Sequence, residues 1–370
     1  MTDELLTLRQ LNRATLARQM LLAREAISVT EAIERLVGMQ AQEARPPFIG
    51  LWTRLNSFGI HDLSSALHSR QVVRATMMRG TLHAVTAQDY AAFRMVLQPM
   101  LTQGMRVLGD RANGLDLERL IPAARACLRD GPLTFDELRG LLSGAFPDVH
   151  ERALGYATRM NLPLVMVPTA NRWGFPSVSA FTLAETWLSQ PLSHDPSPET
   201  LVSRYLAAFG PATVADAQTW SGLSGLKSVL QSMRQRLRVF RDERGRELFD
   251  LPDAPRPDGS VVAPVRFLPE FDNLLLAHSD RTRVIADEHR GQVVTKNLRV
   301  HATFLLDGLV AGTWRIERKK GTATLHIKPF ESYSSRDTHE LTDEGERLLR
   351  FVEDDATNID IQLESPTMPS

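Results

Sequence analysis

The sequence predicts an α+β fold. Three tandem units, each of three helices closed by a β-hairpin, lead into a small antiparallel, barrel-like β region and a C-terminal helix. Three observations support this. A Gly-Pro-x-Thr turn occurs at Gly131-Pro132-Leu133-Thr134 and again at Gly210-Pro211-Ala212-Thr213, each time between two stretches of helical periodicity. A third helical stretch and a pair of short strand patterns follow each of these turns. Beyond about Asp258 strand patterns take over. The chain then divides into residues 1–100, 101–185, 186–257 and 258–370. That is in keeping with a length of 370 residues and domains of about 150.

The first unit is the most diverged. Leu8, Leu11, Ala14, Ala17 and Leu21 can share one helical face. Thr30 is placed to cap a second helix with Ile33, Leu36 and Val37 inward. Pro46-Pro47 opens a third, because proline suits the first helical turn. Phe48, Leu51, Trp52 and Leu55 then form the stripe of a core-facing helix. A strand is expected over residues 81–85.

In the second unit Leu117, Leu120, Ala124 and Leu128 recur at helical spacing. Thr134 and Glu137 make a capping box, in which hydroxyl and carboxylate each satisfy an orphan N–H. The helix it starts runs to about Ser143, and a third covers about 150–160. Strands are expected over 164–168 and 172–175, around Thr169-Ala170-Asn171. The third unit repeats this order. Leu201, Tyr205 and Ala208 mark its first helix, Asp216 takes the place of Glu137, and Leu226, Leu230 and Met233 mark its third helix. Its hairpin spans 237–240 and 247–250. Three helices with a β-hairpin make a winged helix, a helix-turn-helix variant that sets its third helix or its hairpin against DNA.

The β region reads as strands over 261–268, 284–286, 302–306, 309–316 and 322–327. Asp307-Gly308 is a hairpin turn, since both residues tolerate positive φ. A closing helix is expected over 342–352.

Charge first argues against a nucleic-acid ligand. Lys plus Arg is 43 and Asp plus Glu is 44, a net of −1, whereas such binders usually carry a basic excess. The distribution reverses the argument. Residues 331–370 hold 11 acidic and 3 basic side chains, so the first 330 carry +7. Residues 44–111 alone carry +5. Only five of the basic residues are Lys, and Arg is the better fork for phosphate and stacked bases.

Other classes are excluded more simply. Apolar content is 43% and charged content 24%, as in an ordinary globular protein. No apolar run is long enough to span a membrane, and no basic-then-apolar leader follows Met1, so a cytoplasmic protein is expected. Cys127 is the only cysteine, which leaves no internal disulfide and no multi-cysteine zinc site. The ten histidines lack metal-ligand spacing. Phosphate-loop, dinucleotide, zinc-protease and serine-hydrolase motifs are absent, so neither metal nor cofactor is expected. The internal repetition points to a monomer.

Two glutamines end the second helix of the first unit, in Leu36-Val37-Gly38-Met39-Gln40-Ala41-Gln42. That segment is followed in order by Arg79-Gly80-Thr81-Leu82-His83, Leu268-Pro269-Glu270-Phe271-Asp272-Asn273 and Gly308-Leu309-Val310-Ala311-Gly312-Thr313-Trp314. Over a body of three winged helices, this series resembles the winged-helix DNA glycosylases, the family that includes bacterial crosslink-unhooking enzymes of azinomycin resistance. The resemblance covers nearly the whole chain. It implies a monofunctional glycosylase without cofactor, acting on double-stranded DNA that carries N7- or N3-alkylated or crosslinked purines. It also implies that Gln40 and Gln42 are the catalytic pair.

The chemistry fits that assignment. An N7- or N3-alkylated purine already carries a positive charge and leaves as a neutral base. Little general-acid help is then needed, and water must be positioned against an oxocarbenium-like sugar. Each amide offers one carbonyl oxygen and two N–H donors. Fixed dipoles of this kind can stabilise developing charge and hold water in line.

DNA contacts are expected at Arg45 and Arg79 beside the motif, and at Arg315, Arg318, Lys319 and Lys320. The last four belong to a hairpin that, in the family, approaches the DNA groove. His83 reads as structural, and Glu270 and Asp272 as residues that fix the β region against the first unit, with an active-site role the other reading for each. The alternative is a non-catalytic winged-helix DNA-binding regulator, with a protein-interaction scaffold third.

Overall fold

A side-chain cap starts the second helix of each unit. The computed structural model describes residues 4–193, 195 and 197–366. In it the Thr134 hydroxyl accepts from the Glu137 N–H at 3.2 Å, and the Glu137 carboxylate accepts from the Thr134 N–H at 2.8 Å. The helix Phe135–Ser143 follows. Thr213 and Asp216 repeat the device at 3.1 and 2.9 Å ahead of Val214–Ser221. In the first unit the cap is Ser28 rather than Thr30. Its hydroxyl accepts from the Glu31 N–H at 3.1 Å, so the helix Val29–Arg35 already contains Thr30.

Among the described residues there are 15 α-helices and three β-sheets, a mixed α+β fold. The first unit holds Leu8–Arg18, Val29–Arg35 and Pro46–Trp52, with Pro46-Pro47 opening the third helix as expected. It also holds a further helix, Ile60–His68, before its strands Val72–Thr76 and Leu82–Thr86. The second unit holds Leu117–Cys127, Phe135–Ser143 and Glu151–Asn161. The third holds Glu199–Phe209, Val214–Ser221 and Leu226–Met233.

The hairpin expected in the second unit forms differently. Leu164–Met166 is a strand, but its partner is Phe181–Leu183, not residues 172–175. Residues 169–174 close a turn instead, with the Thr169 N–H on the Gly174 carbonyl at 2.7 Å and Gly174 at φ 78°.

The hairpins of the first two units merge into one five-stranded sheet. Its order is Met39–Gln40, Leu82–Thr86, Val72–Thr76, Leu164–Met166, Phe181–Leu183. The third hairpin, Arg238–Asp242 with Glu247–Asp250, gains Glu4–Leu6 as a parallel neighbour. Residues 4–6 thus pack on the last of the three units.

The C-terminal β region is an open sheet, not a barrel. Its order is Asn358–Leu363, Thr322–Pro329, Leu309–Lys319, Thr303–Leu306, Arg266–Leu268, and its two edge strands do not pair. Two physical reasons prevent closure. Residues 284–286 turn, with the Val284 and Ile285 N–H groups on the Arg281 carbonyl, so one expected strand is missing. The helix Ser335–Val352 also occupies the concave face. It buries Leu341, Leu348, Leu349 and Val352 in a cluster with Phe267, Leu325 and Ile327. Gly345 permits this approach, since a Cβ there would meet Leu325 Cδ2 at 2.8 Å. The Asp307-Gly308 turn forms as expected, with φ of 43° and 81°.

Candidate active site

A sharp reversal aims the glutamine motif. Val37 and Gly38 both take positive φ, 53° and 88°. Gly38 is required, because a Cβ would lie 2.5 Å from Val85 Cγ1. The chain then runs antiparallel to Leu82–Thr86, with Met39 opposite Ala84 and Gln40 opposite His83. Ala41 is buried and its N–H donates to the Leu82 carbonyl at 2.7 Å. The small middle residue therefore serves as an anchor between two polar side chains that do different things.

Gln40 is almost buried, at 8% exposure. Its amide oxygen accepts from Arg79 Nη2 at 2.8 Å. Its backbone N–H donates to Asn273 Oδ1 at 3.3 Å, and Asn273 Nδ2 donates to the Gly38 carbonyl at 2.6 Å. Arg79 sits at φ 56° in the turn between the two long strands of the first unit, and its Nη1 donates to the Trp220 carbonyl of the third unit at 2.5 Å. The first unit, the third unit and the C-terminal region thus meet around one glutamine. The Arg79 guanidinium, expected to meet DNA, is turned inward onto Gln40.

His83 is fully buried beside this pair. Its Nδ1 lies 3.1 Å from the Thr81 carbonyl, and Nε2 lies 3.5 Å from Arg79 Nη2. A carbonyl can only accept, so the hydrogen-bond pattern assigns the proton to Nδ1 and leaves Nε2 facing the cation. Burial, then the Arg79 charge, pushes the His83 pKa down to about 3. Burial, then Arg281, pushes Arg79 down to about 10. At neutral pH the site therefore presents a charged arginine and a neutral histidine.

Gln42 is exposed. It lines a cleft of about 550 Å³ between the first two units, with Arg74, Phe135, Arg159, Phe175 and Phe181. Its amide oxygen receives only a long bond, 3.4 Å, from the Leu82 N–H. Its backbone is firmly held, because Arg74 donates to the Ala41 carbonyl at 2.8 Å and to the Gln42 carbonyl at 3.0 Å. Two carboxylates line the cleft, and both are engaged elsewhere: Glu43 lies 3.2 Å from Arg299, and Asp136 pairs with Arg139.

The segment 268–273 clamps the first unit. Asp272 and Arg54 form a two-pronged ion pair at 2.8 and 2.9 Å, each about 1% exposed. Arg45, just before the helix Pro46–Trp52, lies 3.5 Å from Glu270. The indole N–H of Trp314 donates to the Leu268 and Thr303 carbonyls at 3.0 Å, which fixes this segment against the sheet. Glu270 and Asp272 thus hold the β region to the first unit, as expected.

The basic hairpin is tied to the acidic C-terminal segment. Arg315 pairs with Glu364 at 2.7 Å, and Arg318 with Glu353 and Asp355 at 3.0 and 2.6 Å. Lys319 pairs with Glu317 at 2.6 Å. Lys320, at the exposed tip with φ 48°, has no ion pair among the described residues. Register places the tip relative to the site. Thr313 is level with Thr303, and Thr303 with Leu268. Lys319 lies six residues further, about 20 Å at strand rise, in the direction in which the chain leaves Leu268.

Sequence reasoning named the two glutamines, set Arg74 near them in sequence without a role of its own, quoted Asn273 only as the end of a motif, and missed Arg159. Arg74 carried a readable signal, a charge inside the otherwise uncharged strand Val72–Thr76. Asn273 was marked only by its motif, and Arg159 carried no signal. Among the described residues no group of three or more His, Cys, Asp or Glu side chains is placed to hold a metal, and no helix is long and apolar enough to cross a membrane.

A Streptomyces sahachiroi protein named interstrand DNA cross-link repair glycosylase is 25% identical over 344 residues, 87% of this chain and 90% of its own length. The solved structure of Streptomyces sahachiroi DNA glycosylase AlkZ superposes with a TM-score of 0.80 at 21% identity, over 97% of this chain and all of that one. The family profile described as DNA glycosylase AlkZ-like matches residues 33–351, and the chain belongs to that family.

Proposed function

We propose that this protein hydrolyses the N-glycosidic bond of cationic alkylated purines, at N7 and N3, in double-stranded DNA. The same reaction would unhook N7-linked interstrand crosslinks; the Streptomyces relative is named an interstrand DNA cross-link repair glycosylase. One observation carries the reading. The side chain of Gln42 stands open on a wide cleft, while both carboxylates lining that cleft are paired with arginines. A neutral amide is a poor base, and it suffices only where the leaving group already carries positive charge.

The two amides divide the work. Gln42 holds the attacking water through its carbonyl oxygen, which the long Leu82 contact leaves free to accept. Gln40 has one oxygen lone pair occupied by Arg79. It retains its second lone pair and both N–H donors for the sugar or the departing base. Because its partners fix it in advance, no reorganisation is needed as charge develops. The open cleft suits a lesion too bulky for the snug pockets into which other glycosylases flip a base.

Parallel base-release assays on duplexes carrying 7-methylguanine or uracil test this. The expected result is release of 7-methylguanine and none of uracil. Comparable excision of both would overturn it.

A further inference from the structure

The cleft beside Gln42 contains two arginines that the proposed reaction does not use. Most arginines here face a carboxylate. Arg74 and Arg159 do not: neither has an ion pair within 4 Å among the described residues, and the carboxylates sharing their cleft are held by Arg299 and Arg139. Arg74 is fixed by the Ala41 and Gln42 carbonyls and lies 4.9 Å over the Phe175 ring. That leaves Nη1 without a protein acceptor. Arg159 donates from Nε to Thr76 Oγ1 at 2.9 Å, leaving both Nη groups. Burial lowers the proton affinity of both, and the charge of Arg159 lowers that of Arg74 further, offset in part by the Glu43 carboxylate. These are two desolvated like charges in one cleft, neither ion-paired among the described residues.

We propose that Arg74 and Arg159 form a phosphodiester site in this cleft, which takes the DNA backbone phosphate next to the nucleotide attacked at Gln42. Guanidinium donors match phosphate oxygens in geometry and charge. A single anion would relieve the repulsion between the two cations. The assignment of that anion to DNA rests on the glycosylase reading. Arg159 comes from the third helix of the second unit, so the site would couple that winged helix to the catalytic segment of the first.

The test is binding to undamaged duplex over a salt series, read by fluorescence anisotropy. Arg159→Gln is compared with wild type and with Arg159→Lys, and thermal unfolding reports on the fold. Each phosphate contact contributes about 0.9 to the slope of log affinity against log salt. Arg159→Gln should lower the slope by about one contact, and Arg159→Lys should restore it. A folded Arg159→Gln protein with the wild-type slope overturns the proposal. Ser177→Glu covers the case in which Arg159→Gln fails to fold. Ser177 is an exposed residue of the same cleft, and its new carboxylate should occupy the site and lower the slope equally. An unchanged slope there also counts against the site.

Inorganic phosphate, added at constant ionic strength, separates the two sources of the anion. No competition with duplex is expected. Competition that Arg159→Gln abolishes, with the duplex slope unchanged, would make this a free-phosphate site and overturn the DNA assignment. Because undamaged DNA is the probe, a lowered slope without any base release would leave the phosphate site standing and remove the glycosylase reading.

Discussion

Arg79 donates to the amide oxygen of Gln40 at 2.8 Å, so the orientation of Gln40 is set before substrate arrives. The same guanidinium reaches the Trp220 carbonyl, which ties that orientation to the third unit. Arg79→Ala should therefore slow base release through misplacement of Gln40. A displacement of about 1 Å at a reacting group can cost around 100-fold. Single-turnover release of 7-methylguanine should fall by about that factor, with duplex affinity nearly unchanged and partial recovery in Arg79→Lys. Equal rates for Arg79→Ala and wild type would show that Gln40 needs no such brace.

The Arg54–Asp272 pair should matter for stability out of proportion to its size. Both side chains are about 1% exposed, and the pair joins the first unit to the C-terminal sheet. Removing one partner of a buried pair strands the other, at about 3–5 kcal/mol. Asp272→Ala should lower the urea midpoint accordingly. A loss below about 1 kcal/mol would mean that the junction relaxes to rehydrate Arg54.

Acid should destabilise the protein before its carboxylates titrate. His83 and His278 are both fully buried, and both are pushed down to about 3, mainly by burial and then by Arg79 and Arg283 respectively. Below about pH 6.5 the unfolded chain takes up protons at these positions that the folded chain refuses. The stability they contribute is complete above that pH and declines as pH falls towards about 3. Each histidine costs about 1.4 kcal/mol per pH unit within this window. Urea unfolding at neutral and mildly acidic pH measures it, and equal midpoints at both would contradict the assignment.

The acidic C-terminal segment restrains the basic hairpin. Arg318 is held by Glu353 and Asp355, and Arg315 by Glu364. Freeing Arg318 with Glu353→Gln and Asp355→Asn together should tighten duplex binding at low salt and steepen its salt dependence. Lys320→Glu should do the opposite. If neither variant moves the salt slope, the hairpin lies outside the DNA path.

The repeated units were legible because local chemistry writes them. The Thr134 and Thr213 boxes, Pro46-Pro47 and the Asp307-Gly308 turn depend on neighbouring residues and form as read. What failed depends on distant partners. Residues 284–286 are apolar enough for a strand, but they turn because Arg281 supplies the acceptor. A barrel was expected from strand content alone, and the helix Ser335–Val352 on its concave face kept the sheet open. Asn358–Leu363 went unread although its apolar and polar residues alternate, a strand signal obscured by the acidic composition around it. At the site, Gln40 and Gln42 were found through a motif. The inward turn of Arg79 and the placing of Asn273 and Arg159 arise only when separate units pack together.

The central claim is that an amide, with no carboxylate, governs bond cleavage. Single-turnover release of 7-methylguanine by Gln42→Ala and by Glu43→Gln tests it in one experiment. Glu43 is the adjacent cleft carboxylate, paired with Arg299. The account predicts a loss of at least about 100-fold in Gln42→Ala, the scale of a lost preorganised group, and a rate near wild type in Glu43→Gln. Loss of release in Glu43→Gln with activity retained in Gln42→Ala would contradict it and make the carboxylate the base.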